Sequence, residues 1–269
     1  VDTADSETDN DDEDDSTLGL CIFMHGGGWV LGDRDCYDDC CAKLANQSDC
    51  AVLSLDYRLA PEHPFPAALD DCIKATRWAY NFAEQMGCDP QRIVVCGDSA
   101  GGNLATLVTQ YSFVPILMQI LIYPVTDCRV ALMDTHSSGS YKDFATGYLL
   151  TAENMKWFAR LYLGGLAAHK KGDEEDKEKE KGENDGMSNE DKEKEEKLHA
   201  DILKLAEDPR ASPLLAHDDV LRDMPQALII TAEYDPLRDE GEDYARRLTS
   251  LGIKCSLVRS FGQVHAFFN

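Results

Sequence analysis

Residues 92–102 read Arg-Ile-Val-Val-Cys-Gly-Asp-Ser-Ala-Gly-Gly, and Asn103 to Gln110 continue in a helical pattern. The apolar run at 92–96 has the character of a strand buried on both faces. The Gly-x-Ser-x-Gly spacing from Gly97 to Gly101 belongs to a strand-to-helix turn so tight that glycine is needed on either side of the serine. Such a turn lifts the Ser99 hydroxyl above the strand end, at the N-terminus of a helix, where a serine can serve as a nucleophile.

Working outward, short continuous apolar runs recur at 18–24 (LGLCIFM), 50–55 (CAVLSL), 116–122 (ILMQILI) and 226–231 (QALIIT), with a weaker one at 254–259 (KCSLVR). Helical patterns lie between them. In 66–86, Ala68, Cys72, Ala75, Ala79, Phe82 and Met86 step by four and three, with Pro66 suited to the first turn and Gly87 to the end. In 238–251, Tyr244, Leu248 and Leu251 share a face and Gly252 stops the helix. Alternation of this kind predicts an α/β fold, a mostly parallel central sheet with helices on both faces.

The core is expected at 18–124 and 205–269, preceded by a disordered acidic tail at 1–17. Residues 125–204 interrupt the alternation and read as a cap excursion. It carries a polar loop from Thr135 to Ser140 and an amphipathic helix near 152–163, with Trp157, Phe158, Leu161 and Tyr162 and with Thr151 placed to cap it. Within the excursion, 170–197 is a low-complexity insertion of thirteen acids and eight lysines, expected to be disordered or frayed-helical.

The chain has 269 residues and a net charge of −24, with nine acids and no base in residues 1–15. The acidic tail and the charged insertion hold more than half of that charge. A nucleic-acid partner would need a basic face, so none is expected. No apolar run approaches the roughly 18 residues of a membrane span, and no membrane anchor is expected. The N-terminus lacks the basic and apolar regions of a signal peptide, which points to a cytoplasmic location. The ten cysteines read as free thiols. Cys36 and Cys40 share a helix face at i, i+4, yet nothing nearby completes a four-ligand set, so no metal is expected.

Three further stretches join Ser99. His25-Gly26-Gly27-Gly28-Trp29 follows the first strand, and glycines there leave backbone N–H groups open to an oxyanion. Gly26 and Gly27 are assigned as donors, with the Ala100 N–H as a third. His25, Gly28 and Asp98 are assigned supporting roles, His25 by fixing the loop. After the strand at 226–231 comes Asp235, a few residues past the strand end. Glu233 lies nearer the strand and Asp239 falls inside the next helix, so Asp235 is the candidate acid. His265 follows the last strand and is the histidine beyond Asp235. The order Ser99, Asp235, His265 is that of a nucleophile, an orienting acid and a base on this kind of sheet.

With HGGG at 25–28, GDSAGG at 97–102, DYRLAPE at 56–62 and DPLRDEG at 235–241, the chain resembles the hormone-sensitive-lipase-like family of α/β-hydrolases. The resemblance covers about 18–165 and 205–269. It implies the α/β-hydrolase fold with a partial helical cap, and a serine carboxylesterase acting on short- to medium-chain small-molecule esters without a metal or organic cofactor. It leaves pairing into a homodimer open. The segment before HGGG is shorter than the family usually has, so half of the cap and the first strands are expected to be missing, and the chain stops soon after His265, where the family usually continues into a final helix. Two other readings are carried: a ligand-binding protein on the same scaffold, and an amidase or deacetylase using the same residues.

Overall fold

The computed structural model describes residues 17–133, 139–181 and 189–268, with side chains described outside 168–189. The acidic tail, most of the Thr135–Ser140 loop, the centre of the charged insertion and Asn269 lie outside the described residues.

The six expected strands form. They are β1 (Leu18–Met24), β2 (Cys50–Leu55), β3 (Cys88–Asp98), β4 (Met118–Ile122), β5 (Gln226–Tyr234) and β6 (Cys255–Val264). They make one sheet in the order β2-β1-β3-β4-β5-β6, and every pairing is parallel. Between them run α1 (Asp38–Ser48), α2 (Ala67–Phe82) and α3 (Ala100–Tyr111), and α9 (Arg238–Ser250) joins β5 to β6. The excursion between β4 and β5 contains α4 (Cys128–Ala131), α5 (Ser140–Asp143), α6 (Ala152–Lys181), α7 (Asn189–Ala206) and α8 (Asp218–Leu221). Among the described residues, no helix is long and apolar enough to cross a membrane.

Side chains alternate along each strand, so one strand feeds two cores. Leu20, Ile22, Met24, Ile93, Val95 and Ile229 face a core shared with α2, α3, α9 and the excursion. Cys21, Phe23, Cys96 and Ile122 face a smaller cluster on the α1 side, with Tyr37, Cys41 and Tyr123. On that second face an apolar groove of about 470 Å³ lies open, bordered by Leu44, Ile120, Leu228, Phe267 and Phe268 among others. None of the ten cysteines is in a disulfide.

Two local expectations need correction. On α2 the buried face is Ala68, Leu69, Cys72, Thr76 and Ala79, continued by Ala83. Phe82 and Met86 are instead 38% and 37% exposed. The helix ends at Phe82, whose ring stacks on Trp78 at the surface, and Met86 sits in a separate 3-10 turn that no longer follows the helical spacing. The last strand extends well past residue 259, because an irregularity after Ala232 lets β5 and β6 resume pairing at Tyr234 and Val264. The helix begun near 152 ends, as expected, just before a non-helical break at Gly165 (φ 57°); beyond the break a second helical stretch runs to Lys181, and residues 189–197 are helical too, so the ends of the charged insertion take the helical form. Thr151 does cap α6, its Oγ1 accepting from Asn154 N–H at 3.0 Å.

Ile22 lies in the middle of β1 and is fully buried between β2 and β3. Ile22→Ala is expected to cost about 2–5 kcal/mol, since the neighbouring strands cannot collapse into the vacated space. Urea denaturation measures it, and a loss near zero would contradict this placement of the core.

Candidate active site

The turn after β3 takes the conformation its sequence requires. Ser99 sits at φ 55°, ψ −118°, between the end of β3 and the first residue of α3. Its N–H donates to Ile122 O at 2.9 Å, and its carbonyl accepts from Asn103 N–H at 3.1 Å and Val125 N–H at 3.2 Å. Gly101 is needed because α3 crosses directly under the end of β1: a Cβ there would lie 2.0 Å from Met24 O. Ser99 is thereby 7% exposed, and its carbonyl and N–H are both tied down.

Asp235 follows β5 and is fully buried; His265 follows β6. β3, β5 and β6 run parallel and end on one edge of the sheet, with β4 between β3 and β5, and this brings residues far apart in sequence together. His265 Nδ1 lies 2.7 Å from Asp235 Oδ2, and His265 Nε2 lies 2.9 Å from Ser99 Oγ. With Asp235 accepting from Nδ1–H, Nε2 is left to accept the serine proton. The other Asp235 oxygen accepts from Leu237 N–H at 2.9 Å, which fixes the carboxylate. The two rival acids are engaged elsewhere: Glu233 accepts from Gly262 N–H at 2.6 Å, and Asp239 from Ser140 N–H at 2.8 Å. Tyr123 packs on the histidine, the ring centroids 4.5 Å apart.

The loop after β1 differs from expectation in one respect. The Gly26 N–H does not stand open to an oxyanion. It donates to Asp98 Oδ1 at 2.8 Å and lies 3.1 Å from Tyr37 Oη. The carboxylate beneath the loop has claimed the first glycine's N–H, so the donor assignment for Gly26 is corrected. Among the described residues, Gly27 and Gly28 N–H have no protein acceptor. Ala100 is the first residue of α3, where a helix leaves its N–H without an intrahelical partner.

His25 and Asp98 are both buried beneath this loop. His25 Nδ1 donates to Gly26 O at 2.7 Å, its carbonyl accepts from Tyr57 Oη at 2.6 Å, and its ring stacks on Tyr57. Burial holds the imidazole below its ordinary pKa, so it is neutral near pH 7 and acts as a fixed bracket. Asp98 Oδ2 accepts from Tyr37 Oη at 3.1 Å and Tyr123 Oη at 3.4 Å. Burial raises its pKa to about 6, against the opposing pull of these hydrogen bonds and of His265. Tyr37 and Tyr123 were not singled out in the sequence; tyrosine carries no motif, and the topology alone puts both under one carboxylate.

A third buried carboxyl secures the helix that follows the acid. Glu240 of α9 accepts from Thr126 N–H at 2.7 Å, and its backbone carbonyl accepts from Thr126 Oγ1 at 2.8 Å. Burial pushes this carboxyl well above the usual carboxylate range. The contact ties the start of the excursion to the helix that follows Asp235. Among the described residues, no group of three or more His, Cys, Asp or Glu side chains is arranged to hold a metal ion.

A parallel sheet presenting a serine at a strand-to-helix turn, hydrogen-bonded through a histidine to a buried aspartate, defines the α/β-hydrolase class. Within it the chain belongs to the hormone-sensitive-lipase-like family: a family profile described as alpha/beta hydrolase fold matches residues 21–175 and 166–269. The chain is 38% identical over 259 residues to the carboxylic ester hydrolase LipN of Mycobacterium tuberculosis, covering 93% of this chain and 57% of that one. It is 35% identical over 264 residues to ethyl acetate hydrolase of Pseudomonas putida, covering 95% and 68%. Among solved structures, carboxyl esterase 2 of Tuber melanosporum superposes with a TM-score of 0.76 at 30% identity, covering 94% of this chain and 71% of that one. The hyperthermophilic esterase of Pyrobaculum calidifontis superposes with a TM-score of 0.72 at 36% identity, covering 93% and 70%. The chain thus spans a little over half to about seven tenths of these relatives.

The Asp98 pKa predicts a pH effect on stability. Its proton is held to about pH 6 in the fold, against about pH 4 in an unfolded chain. The folded state binds that proton more tightly, so the contribution is fully present below about pH 4 and is lost as pH rises to about 6. Asp98→Asn removes this dependence. Between pH 4 and pH 7 the wild-type protein should lose roughly 2–3 kcal/mol more than the variant at most. Urea unfolding at the two pH values measures this, and parallel pH profiles would refute the assignment.

Proposed function

We propose that this chain is a serine carboxylesterase that works through an acyl-enzyme. The observation that carries the reading is the unbroken hydrogen-bonded line from Ser99 Oγ through His265 to Asp235, with spacings of 2.9 and 2.7 Å. The esterase names of the relatives support the choice of ester as substrate. Short- to medium-chain acyl groups are the proposed range.

Ser99 attacks the ester carbonyl while His265 Nε2 takes the hydroxyl proton. Asp235 holds the Nδ1–H tautomer and stabilises the imidazolium that forms. The carbonyl oxygen becomes an oxyanion and is bound by the N–H groups of Gly27, Gly28 and Ala100, Gly28 replacing the engaged Gly26. His265 then gives its proton to the leaving alcohol, and the acyl group stays on Ser99. Water enters, loses a proton to His265 and attacks the acyl carbon. The second tetrahedral intermediate collapses, the carboxylic acid leaves, and Ser99 recovers its proton. Nothing in this cycle calls on a metal or an organic cofactor.

Incubation with a fluorescent fluorophosphonate tests the nucleophile: wild type should label, and Ser99→Ala should not. Labelling that survives in Ser99→Ala would move the nucleophile elsewhere. Asp235→Asn should keep the site's shape but strand His265 in the wrong tautomer, lowering kcat for a short-chain 4-nitrophenyl ester by about 10²–10⁴-fold. A matched pair of ester and amide substrates measures the preference, and faster turnover of the amide would overturn the carboxylesterase reading.

A further inference from the structure

Gly27, Gly28 and Trp29 have φ angles of 111°, 61° and 60°. Glycine adopts these readily, but tryptophan does not. A bulky residue in the left-handed region persists only where its surroundings hold it there. At Trp29 the hold comes from the excursion. The Trp29 indole lies flat on Tyr162 of α6, with centroids 4.3 Å apart and planes 6° apart, and both side chains are fully buried. One turn earlier on the same helix, Phe158 covers Gly28 so closely that a Cβ on the glycine would lie 2.3 Å from Phe158 Cγ and Cδ1. Phe158 and Tyr162 stand four residues apart and so share one helix face.

Backbone contacts close the unit. Ala60 N–H donates to Trp29 O at 2.9 Å, and Phe65 N–H donates to Tyr162 O at 2.7 Å. Trp29, the 60–65 segment and α6 are thereby joined in one packed body. The Trp29–Tyr162 contact is ring on ring: among the described residues, neither Tyr162 Oη nor Trp29 Nε1 has a hydrogen-bond partner.

The geometry points to Phe158 and Tyr162 as positioning residues that clamp the loop at Gly28 and Trp29 and so aim the Gly27 and Gly28 N–H groups. The inference rests on the reading of those groups as oxyanion donors. It gives α6 a part in turnover beyond covering a substrate. A loosened clamp would weaken binding of the oxyanion while leaving ground-state binding of the ester nearly as it was.

The test is steady-state hydrolysis of a short-chain 4-nitrophenyl ester by wild type, Phe158→Ala, Tyr162→Leu and Tyr162→Phe. Active sites are counted by fluorophosphonate, so misfolded molecules do not enter kcat. Affinity for an alkyl boronic acid, which forms a tetrahedral adduct on serine, is measured beside it. Phe158→Ala and Tyr162→Leu should each lose about tenfold or more in kcat with KM within about twofold, and boronate affinity should fall in parallel. Tyr162→Phe keeps the ring and should recover most of the kcat lost in Tyr162→Leu. Phe158 is only half-buried, so its variant remains informative if Tyr162→Leu fails to fold. Unchanged kcat per active site in Phe158→Ala, or a loss confined to KM, would overturn the clamp. A wild-type protein with no Ser99-dependent turnover would remove the esterase reading itself, and the clamp with it.

Discussion

The left-handed backbone at Ser99 is the constraint on which the rest of the site depends. A non-glycine residue at φ 55° costs about 1–3 kcal/mol and must be held by its surroundings. Here β4 supplies an acceptor for the Ser99 N–H, and Asn103 and Val125 supply donors to its carbonyl. The Asn103 side chain donates in turn to Val125 O and Ala211 O, at the two ends of the excursion. Gly101 lets α3 press against the end of β1, which brings the His25–Trp29 loop beside the serine. One strained turn therefore ties together the sheet, the loop and both ends of the excursion.

Two buried carboxyls extend that order outward in opposite directions. Asp98 gathers Gly26, Tyr37 and Tyr123 beneath the loop and the histidine. Glu240 locks the start of the excursion to the helix after Asp235. Burial raises the pKa of both, so each trades solvation for hydrogen bonds to groups that would otherwise lack partners. The site is built on a polar frame set into an apolar core, and the frame determines which backbone N–H groups remain open.

The sheet was legible because buried parallel strands are short apolar runs, and all six runs became strands. Ser99, Asp235 and His265 were legible because each follows a strand, and parallel strands end on one edge. The fate of the Gly26 N–H was not legible. A glycine motif announces freedom of backbone, but the direction of each N–H depends on torsions set by a carboxylate 72 residues away. The clamp by Phe158 and Tyr162 was hidden for a related reason: aromatic residues at helical spacing announce burial without saying against what. Met86 misled because helical spacing was extended past the point where the helix ends, and Phe82 because the buried face runs from Ala79 on to Ala83 instead.

The edge position of β6 has a consequence for heat. It pairs with β5 alone, and most of its side chains are in solvent, Phe261 at 76% exposure. Segments with few buried contacts open before the global fold does. His265 follows directly from this strand, whereas Ser99 and Asp235 follow strands paired on both sides. Warming would therefore release the histidine while the serine and aspartate stay in place. The temperature at which this histidine detaches is therefore expected to lie below the temperature at which the fold as a whole is lost.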